Sequence, residues 1–333
     1  MDTKVCFIIP YFGKLPKGFQ VYLNTCANNP EFDFLLFTND RFSYDYPKNV
    51  HVTYMEFLDL KALFQKHFDF KISLERPYKL CDYKAAYGDI FQDYIGKYDF
   101  WGHCDIDLLW GKISHFYSDE LFKIYDHLGI EGHCQLFRNT KEINNLFRII
   151  DKEIECDYVE VYSNDKSYGF DELPLNRIFK KYCDKNYYKM NYANLNKYDY
   201  AFHLVNYIPE DDYKNKHQIF EYKNSMILRH YVYENQIFTE EFCYLHLWCR
   251  PITYKVKNKN ACHYYIYPEV VTDKNLGKLT IGKIKRRNRK NFFRYYFKSI
   301  WYNRKKLTFK RIIFNIKGMF NYKRGKEDVS KNR

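Results

Sequence analysis

The stretch Tyr98-Asp-Phe-Trp-Gly-His-Cys-Asp-Ile-Asp-Leu-Leu-Trp-Gly111 restricts the possible folds of this chain more than any other. Its aromatic start, Tyr98 to Trp101, predicts a buried strand that stops at Gly102. Asp105 and Asp107 follow with Ile106 between them. In an extended chain alternate side chains share a face, so the two carboxylates point one way while Ile106 turns into the protein. Adjacent carboxylates repel, and burying them without a partner is expensive. A hard divalent cation such as Mg²⁺ or Mn²⁺ resolves that conflict and still accepts phosphate oxygens from a ligand. A solvated Asp-x-Asp turn is the plain alternative for the bare tripeptide. The aromatic strand before the pair, with Gly102 and Gly111 as hinges, favours the metal.

The chain before this stretch alternates apolar runs with helical patterns. Lys4–Pro10, Phe32–Thr38 and Val50–Tyr54 read as strands, and Phe19–Ala27 and Met55–His67 as helices. Such alternation predicts an α/β fold with a mostly parallel central sheet flanked by helices. Ligands of such sheets bind beyond the carboxyl ends of the strands, which here carry Tyr11, Asp40 and the Asp105/Asp107 pair. Pro77 suits the first turn of a further helix, on which Lys79 and Asp82 lie three apart on one face. They read either as a surface ion pair or as a Lys for ligand phosphate and an Asp for sugar hydroxyls.

Beyond the central stretch, Gly132–Asn139 is strand-like, with His133 and Asn139 near its ends. Asp171 and Glu172 open a helix that has Pro174 in its first turn, where acids suit the helix dipole. Residues 190–240 are mixed. Glu241–Arg250 predicts one strand carrying His246 and Arg250. A lone His in an apolar strand is usually a core residue, and it becomes a ligand only where a metal pair awaits a third donor.

Charge divides the chain into two parts. Residues 281–333 hold 19 of the 54 Lys+Arg but 2 of the 41 Asp+Glu, so the basic excess sits in the tail and the body is mildly acidic. We therefore expect a catalytic domain over 1–280 and a basic amphipathic helical tail over 281–333. Phe293, Phe297, Ile300 and Trp301, then Phe309, Ile312, Ile313, Ile316 and Phe320, recur at helical spacing among Lys and Arg. That pattern fits a helix lying in an anionic membrane surface, or alternatively a helical pair packed on the body. The ten Cys contain no C-x-x-C pair and read as core residues of a reducing compartment. No apolar h-region opens the chain, and no run reaches the roughly 18 apolar residues of a membrane span.

Taken in order, these features resemble GT-A glycosyltransferases, whose fold is Rossmann-like. The nearest are the retaining, metal-dependent families 8 and 32 and the large clostridial toxin group. Tyr78–Asp82, Tyr98–Gly111, Gly132–Asn139, Phe170–Glu172 and Tyr244–His246 are especially similar to bacterial glycosyltransferase-like proteins of capsule and surface-polysaccharide clusters. The resemblance covers roughly residues 4–250. It implies Mn²⁺ or Mg²⁺ held by Asp107 and His246, with Asp105 bridging metal and ribose. It implies donor contacts from Lys79, Asp82, Tyr11 and Asp40, and a catalytic acid at Asp171, followed here by Glu172 where family 8 has Gln. His133, Asn139 and Arg250 become candidate donor or acceptor contacts. The donor implied is a nucleotide sugar, a UDP-sugar first among them, and the acceptor a lipid-linked glycan at the cytoplasmic face of the membrane. Retention of configuration rests on the analogy alone.

Two other classes use similar residues. A metal-dependent phosphoesterase would use Asp105/Asp107 but normally needs a denser His/Asp cluster. A nucleic-acid-binding protein would use the basic, aromatic tail, but the body is acidic and no such motif is present, so no nucleic-acid partner is expected.

Overall fold

A computed structural model describes residues 1–195, 201–205, 217–248, 251–258, 261–288 and 297 of the 333-residue chain. Its first half runs β1 (Val5–Tyr11), α1 (Phe19–Ala27), β2 (Phe32–Thr38), β3 (Val50–Tyr54), α2 (Phe57–Gln65), β4 (Phe100–Cys104), β5 (Leu108–Trp110), β6 (His127–Glu131) and β7 (Cys134–Arg138). Strands β8 (Asn186–Tyr187), β9 (Tyr192–Asn194), β10 (His203–Leu204), β11 (Gln218–Lys223), β12 (Met226–Tyr233) and β13 (Gln236–Phe242) follow. The series ends with β14 (Tyr244–His246), β15 (Thr253–Lys255), β16 (His263–Tyr267) and β17 (Val270–Thr272).

The central sheet has seven strands in the order β3-β2-β1-β4-β7-β6-β8. On one side, β3, β2, β1 and β4 pair in parallel, as the alternation of strands and helices predicts. On the other, β4–β7 and β6–β7 are antiparallel, because β6 and β7 are joined by a tight hairpin that permits no crossover. Two further sheets, β10-β9-β14-β5 and β13-β12-β11-β16-β17-β15, are largely antiparallel. The fold is therefore α/β with mixed sheets; in the central one four of the six pairings are parallel, β6–β8 among them.

The apolar runs explain why the central strands are buried on both faces. Along β1, Val5, Phe7 and Ile9 join one core while Cys6 and Ile8 join the other. Phe32, Phe34 and Leu36 split from Leu35 and Phe37 in the same way along β2. This is the two-residue period of a strand covered on both sides.

Gly102 does not end the aromatic strand; it lies in the middle of β4. A Cβ there would come within 2.4 Å of the Gln135 carbonyl oxygen and 2.7 Å of the Leu136 side chain. At Gly111 it would meet the Phe242 carbonyl oxygen at 2.5 Å. Both glycines serve close strand packing, not hinge motion.

The basic segment begins on the body. Residues 281–288 are helical, and Ile284 is fully buried with Ile219, Tyr265 and Tyr267. The Asn288 amide donates to the Gln218 carbonyl at 2.9 Å, and the Arg287 guanidinium lies 4.1 Å over the Tyr267 ring. From 289 onward, except for residue 297, the segment lies outside the described residues, and so does most of its amphipathic pattern. No helix among the described residues is long and apolar enough to cross a membrane.

Candidate active site

Asp105 and Asp107 occupy the turn that leaves β4 in the central sheet and enters β5 in the second. They do not alternate along an extended strand; the turn brings the two carboxylates together instead. Strand β14 pairs antiparallel with β5, setting His246 opposite Leu108, and the Leu247 N–H donates to the Asp107 carbonyl at 2.9 Å. As a result, one ligand atom from each of Asp105, Asp107 and His246 lies within 4.8 Å of the others. The closest approach of His246 to Asp107 is 3.7 Å, from Nε2 to Oδ1. His246 is buried, and its Nδ1 makes no hydrogen bond among the described residues. Two carboxylates and one imidazole converging this closely form a donor set that suits Mn²⁺ or Mg²⁺.

The predicted single strand Glu241–Arg250 is in fact two strands divided at Cys243, β13 in the third sheet and β14 in the second. Cys243 donates its N–H to the Asn191 carbonyl and accepts from the Gly111 N–H at 2.7 Å, so the chain changes sheet there. His133 stacks on His246 with ring centroids 4.0 Å apart, and its Nε2 lies 3.1 Å from the Tyr244 hydroxyl. Burial, with His246 and Lys84 nearby, holds its imidazole well below the usual histidine range.

Beside the triad sits a group that the sequence does not single out. Lys84 donates to Asp105 Oδ1 at 2.7 Å and to the Gly132 carbonyl at 2.6 Å, and its Nζ lies 3.3 Å from Asp171 Oδ2. Burial pulls its ammonium toward deprotonation, but Asp105 and Asp171 together raise it well above its ordinary value. Asp171 is also buried. Burial pushes its carboxyl up to about 7, with Lys84 opposing and Asp105 and Glu172 adding to the rise. Gly132 makes room for this contact, since a Cβ there would stand 2.8 Å from Asp171 Oδ2. Glu172 is exposed at the start of the helix Leu173–Tyr182 and stays out of the cluster.

Asp105, Asp107 and Lys84 line a cavity of about 780 Å³ at the carboxyl ends of β1 and β4, and Tyr11 lines it too. That volume falls within the range of small-molecule sites, about 300–1,000 Å³.

Other residues expected at the site lie elsewhere. Lys79 and Asp82 are fully buried and pair with each other at 2.9 Å, away from the cavity lining. Asp82 accepts the Tyr168 and Phe170 N–H groups at 3.2 and 3.0 Å, and Lys79 donates to the Lys166 carbonyl. A short 3₁₀ turn, Pro77–Lys79, starts this segment and turns both side chains inward, where each ion needs the other. They hold the loop that leads to Asp171. Asp40 accepts from the Leu15 and Phe42 N–H groups at 2.8 and 2.9 Å, tying two loops together outside the cavity lining. Asn139 lies at the opposite end of β4, donating to the Ile95 and Tyr98 carbonyls. Arg250 lies outside the described residues. A lone Lys within Tyr83-Lys-Ala-Ala-Tyr87, an otherwise apolar and aromatic segment, is the signal that marks Lys84 as buried and in need of partners.

Fold and site define an α/β protein with a convergent Asp-Asp-His set beside a buried Lys–Asp pair. A family model matches residues 7–275, and the chain belongs to that family, DUF6625, a family of unknown function. No curated protein matches the sequence.

Proposed function

We propose that this protein is a metal-dependent glycosyltransferase that moves a sugar from a nucleotide-sugar donor, a UDP-sugar first among them, to a glycan acceptor. One observation carries the reading: Asp105 and Asp107, which converge with His246, line a cavity large enough for such a donor together with Lys84, and Asp171 pairs with that Lys84. The parallel strands β3-β2-β1-β4, with the site at their carboxyl ends, support a GT-A arrangement of the catalytic half.

In this reading Asp105, Asp107 and His246 hold Mn²⁺ or Mg²⁺, which when bound supplies Lewis-acid stabilisation to the departing diphosphate. Lys84 places a fixed positive charge next to Asp105, on the side where negative charge gathers as the glycosidic C–O bond breaks. Asp171, oriented by Lys84, sets a carboxylate against the positive charge that develops on the sugar ring.

The basic segment beyond residue 288 supplies the location. Each Lys or Arg near an anionic membrane surface contributes about 1 kcal/mol, so a fraction of those present holds the enzyme on the cytoplasmic face, next to a lipid-linked glycan acceptor.

The test is a donor-hydrolysis screen of common nucleotide sugars with Mn²⁺ or Mg²⁺. Release of free sugar and nucleoside diphosphate, abolished in Asp107→Ala, supports the proposal. Release of nucleoside monophosphate or inorganic phosphate instead would make the site a phosphoesterase, and no turnover of any donor would refute both readings.

A further inference from the structure

His246 turns its Nε2 toward Asp107, 3.7 Å from Oδ1, and its other ring nitrogen has nothing to hold. That Nδ1 is buried and makes no hydrogen bond among the described residues. On the neighbouring strand β9, the Oδ1 of Asn194 is buried and has no partner either. Buried polar groups without partners are rare in folded proteins and call for an explanation.

The register of the second sheet sets these two side chains together. Strands β14 and β9 run parallel, and His246 stands directly opposite Asn194, as Tyr244 stands opposite Tyr192. The Tyr192 and Tyr244 rings project from one face of the sheet, stacked with centroids 4.9 Å apart at 7°. Two positions further along each strand the chain returns to that face, so His246 and Asn194 share it. The backbone of His246 is fixed from both sides. Strand β5 pairs with β14 along one edge, and along the other the Leu195 N–H donates to the His246 carbonyl at 2.9 Å. Only the rotation of the ring is left to be set.

The rings packed on His246 cannot set it. His133 and Trp248 lie nearly parallel to it, at 19° and 12°, and present faces rather than acceptors. A neutral imidazole that gives the lone pair of one nitrogen to a metal carries its proton on the other, and that N–H needs an acceptor. A side-chain carbonyl is one. Metal-ligating histidines are almost always oriented by such a bond from the second nitrogen.

We infer that Asn194 is the positioning residue for His246: its Oδ1 accepts the Nδ1–H when Nε2 takes the cation, which fixes both the ring and its tautomer. This rests on the metal-dependent reading above. It accounts for both orphaned atoms at once, because a donor and an acceptor that each lack a partner complete one another. In the metal-free protein the bond is unmade. Removing the Asn194 carbonyl therefore takes nothing from the fold, and its cost falls on the metal site.

The experiment is calorimetry of Mn²⁺ alone into full-length wild type, Asn194→Leu and Asn194→Asp, with thermal melting of each protein with and without Mn²⁺. Asn194→Leu should bind Mn²⁺ about 10–100-fold more weakly than wild type, while its metal-free melting temperature stays at or above that of wild type. Asn194→Asp, which keeps an acceptor oxygen, should bind at least as tightly as wild type. The inference is overturned if Asn194→Leu binds Mn²⁺ like wild type, or if Asn194→Asp loses as much affinity as Asn194→Leu. It is also overturned if Asn194→Leu and the smaller Asn194→Ala both melt clearly lower without metal, since Asn194 would then be a packing residue. If Asn194→Leu does not fold, Asn194→Ala decides by the same criteria. Should wild type bind no Mn²⁺, the metal-dependent reading itself has failed, and this inference falls with it.

Discussion

The ammonium of Lys84 lies 3.3 Å from the carboxylate of Asp171, and both side chains are buried. Neither ion would survive there alone, because Asp171 and Asp105 offset the desolvation of Lys84, and Lys84 in turn opposes that of Asp171. The pair joins the helical segment after Pro77 to the start of the helix Leu173–Tyr182, and it sets a fixed cation and an adjustable carboxylate beside the Asp-Asp-His set.

Asp171 gives the protein a pH dependence whose direction follows from its raised carboxyl. The folded value of about 7 exceeds the roughly 3.9 of an unfolded Asp. A raised carboxyl favours the folded state most when protonated, so its contribution is fully present below about pH 4 and lost as pH rises through about 7. Denaturant unfolding of the metal-free protein between pH 4 and 8 should show this loss, and Asp171→Asn, which cannot ionise, should flatten it. Identical pH profiles for the two proteins would remove Asp171 as the cause.

The same substitution bears on turnover. Asp171→Asn should leave nucleotide affinity near wild type, because Asp171 is not among the metal-ligating groups, and should lower donor turnover by roughly two to three orders of magnitude. Equal losses in affinity and rate would indicate a donor-binding role.

Binding of a nucleoside diphosphate should require both a divalent cation and Asp107. Calorimetry with Mn²⁺ on Asp107→Ala should show the metal-dependent affinity gone while circular dichroism remains that of wild type. Nucleotide affinity unchanged by EDTA would contradict the assignment of the triad to a metal.

The Lys79–Asp82 pair should act on stability and on the loop before Asp171. Asp82→Ala leaves a buried ammonium unpaired and takes the acceptor from the Tyr168 and Phe170 N–H groups, a loss of about 3–5 kcal/mol. Lys79→Met combined with Asp82→Leu removes both charges, yet it should recover only part of that loss, because the two N–H groups still lack their acceptor. Full recovery in the double variant would confine the role of Asp82 to the ion pair.

For the basic segment, a chain ending at Asn288 keeps Ile284 in the core and removes most of the excess charge. It should melt like the full-length protein and fail to sediment with anionic liposomes, whereas full-length protein sediments and is partly released by salt. A chain ending before Gly282 should melt lower, having lost the contacts of Ile284 and Asn288. Equal sedimentation of the full-length chain and the chain ending at Asn288 would rule out the segment as a membrane anchor.

Much of this protein is written locally. The apolar runs Phe32–Thr38 and Val50–Tyr54 and the helix Phe19–Ala27 fall where side-chain pattern alone places them. Their signals are short-range: β2, buried on both faces, is an almost continuous apolar run, while β3, half-exposed at the sheet edge, is short and rich in β-branched residues. The Asp105/Asp107 pair is legible for the same reason, since two acids at the end of an aromatic strand conflict with their surroundings unless something resolves them.

What local pattern cannot contain is which distant segment arrives beside that pair. His246 reaches Asp107 because β14 pairs with β5, and that pairing follows from how three sheets pack, not from any residue near either acid. The choice of Lys84 over Lys79 depends on which way a few residues of broken helix turn. Lys79 faces the loop before Asp171 and Lys84 faces Asp105, although both lie in one short segment. The raised carboxyl of Asp171 arises from burial, which depends on the whole molecule. Residue types near one another in the chain told which chemistry was possible; long-range packing selected the side chains that meet to perform it.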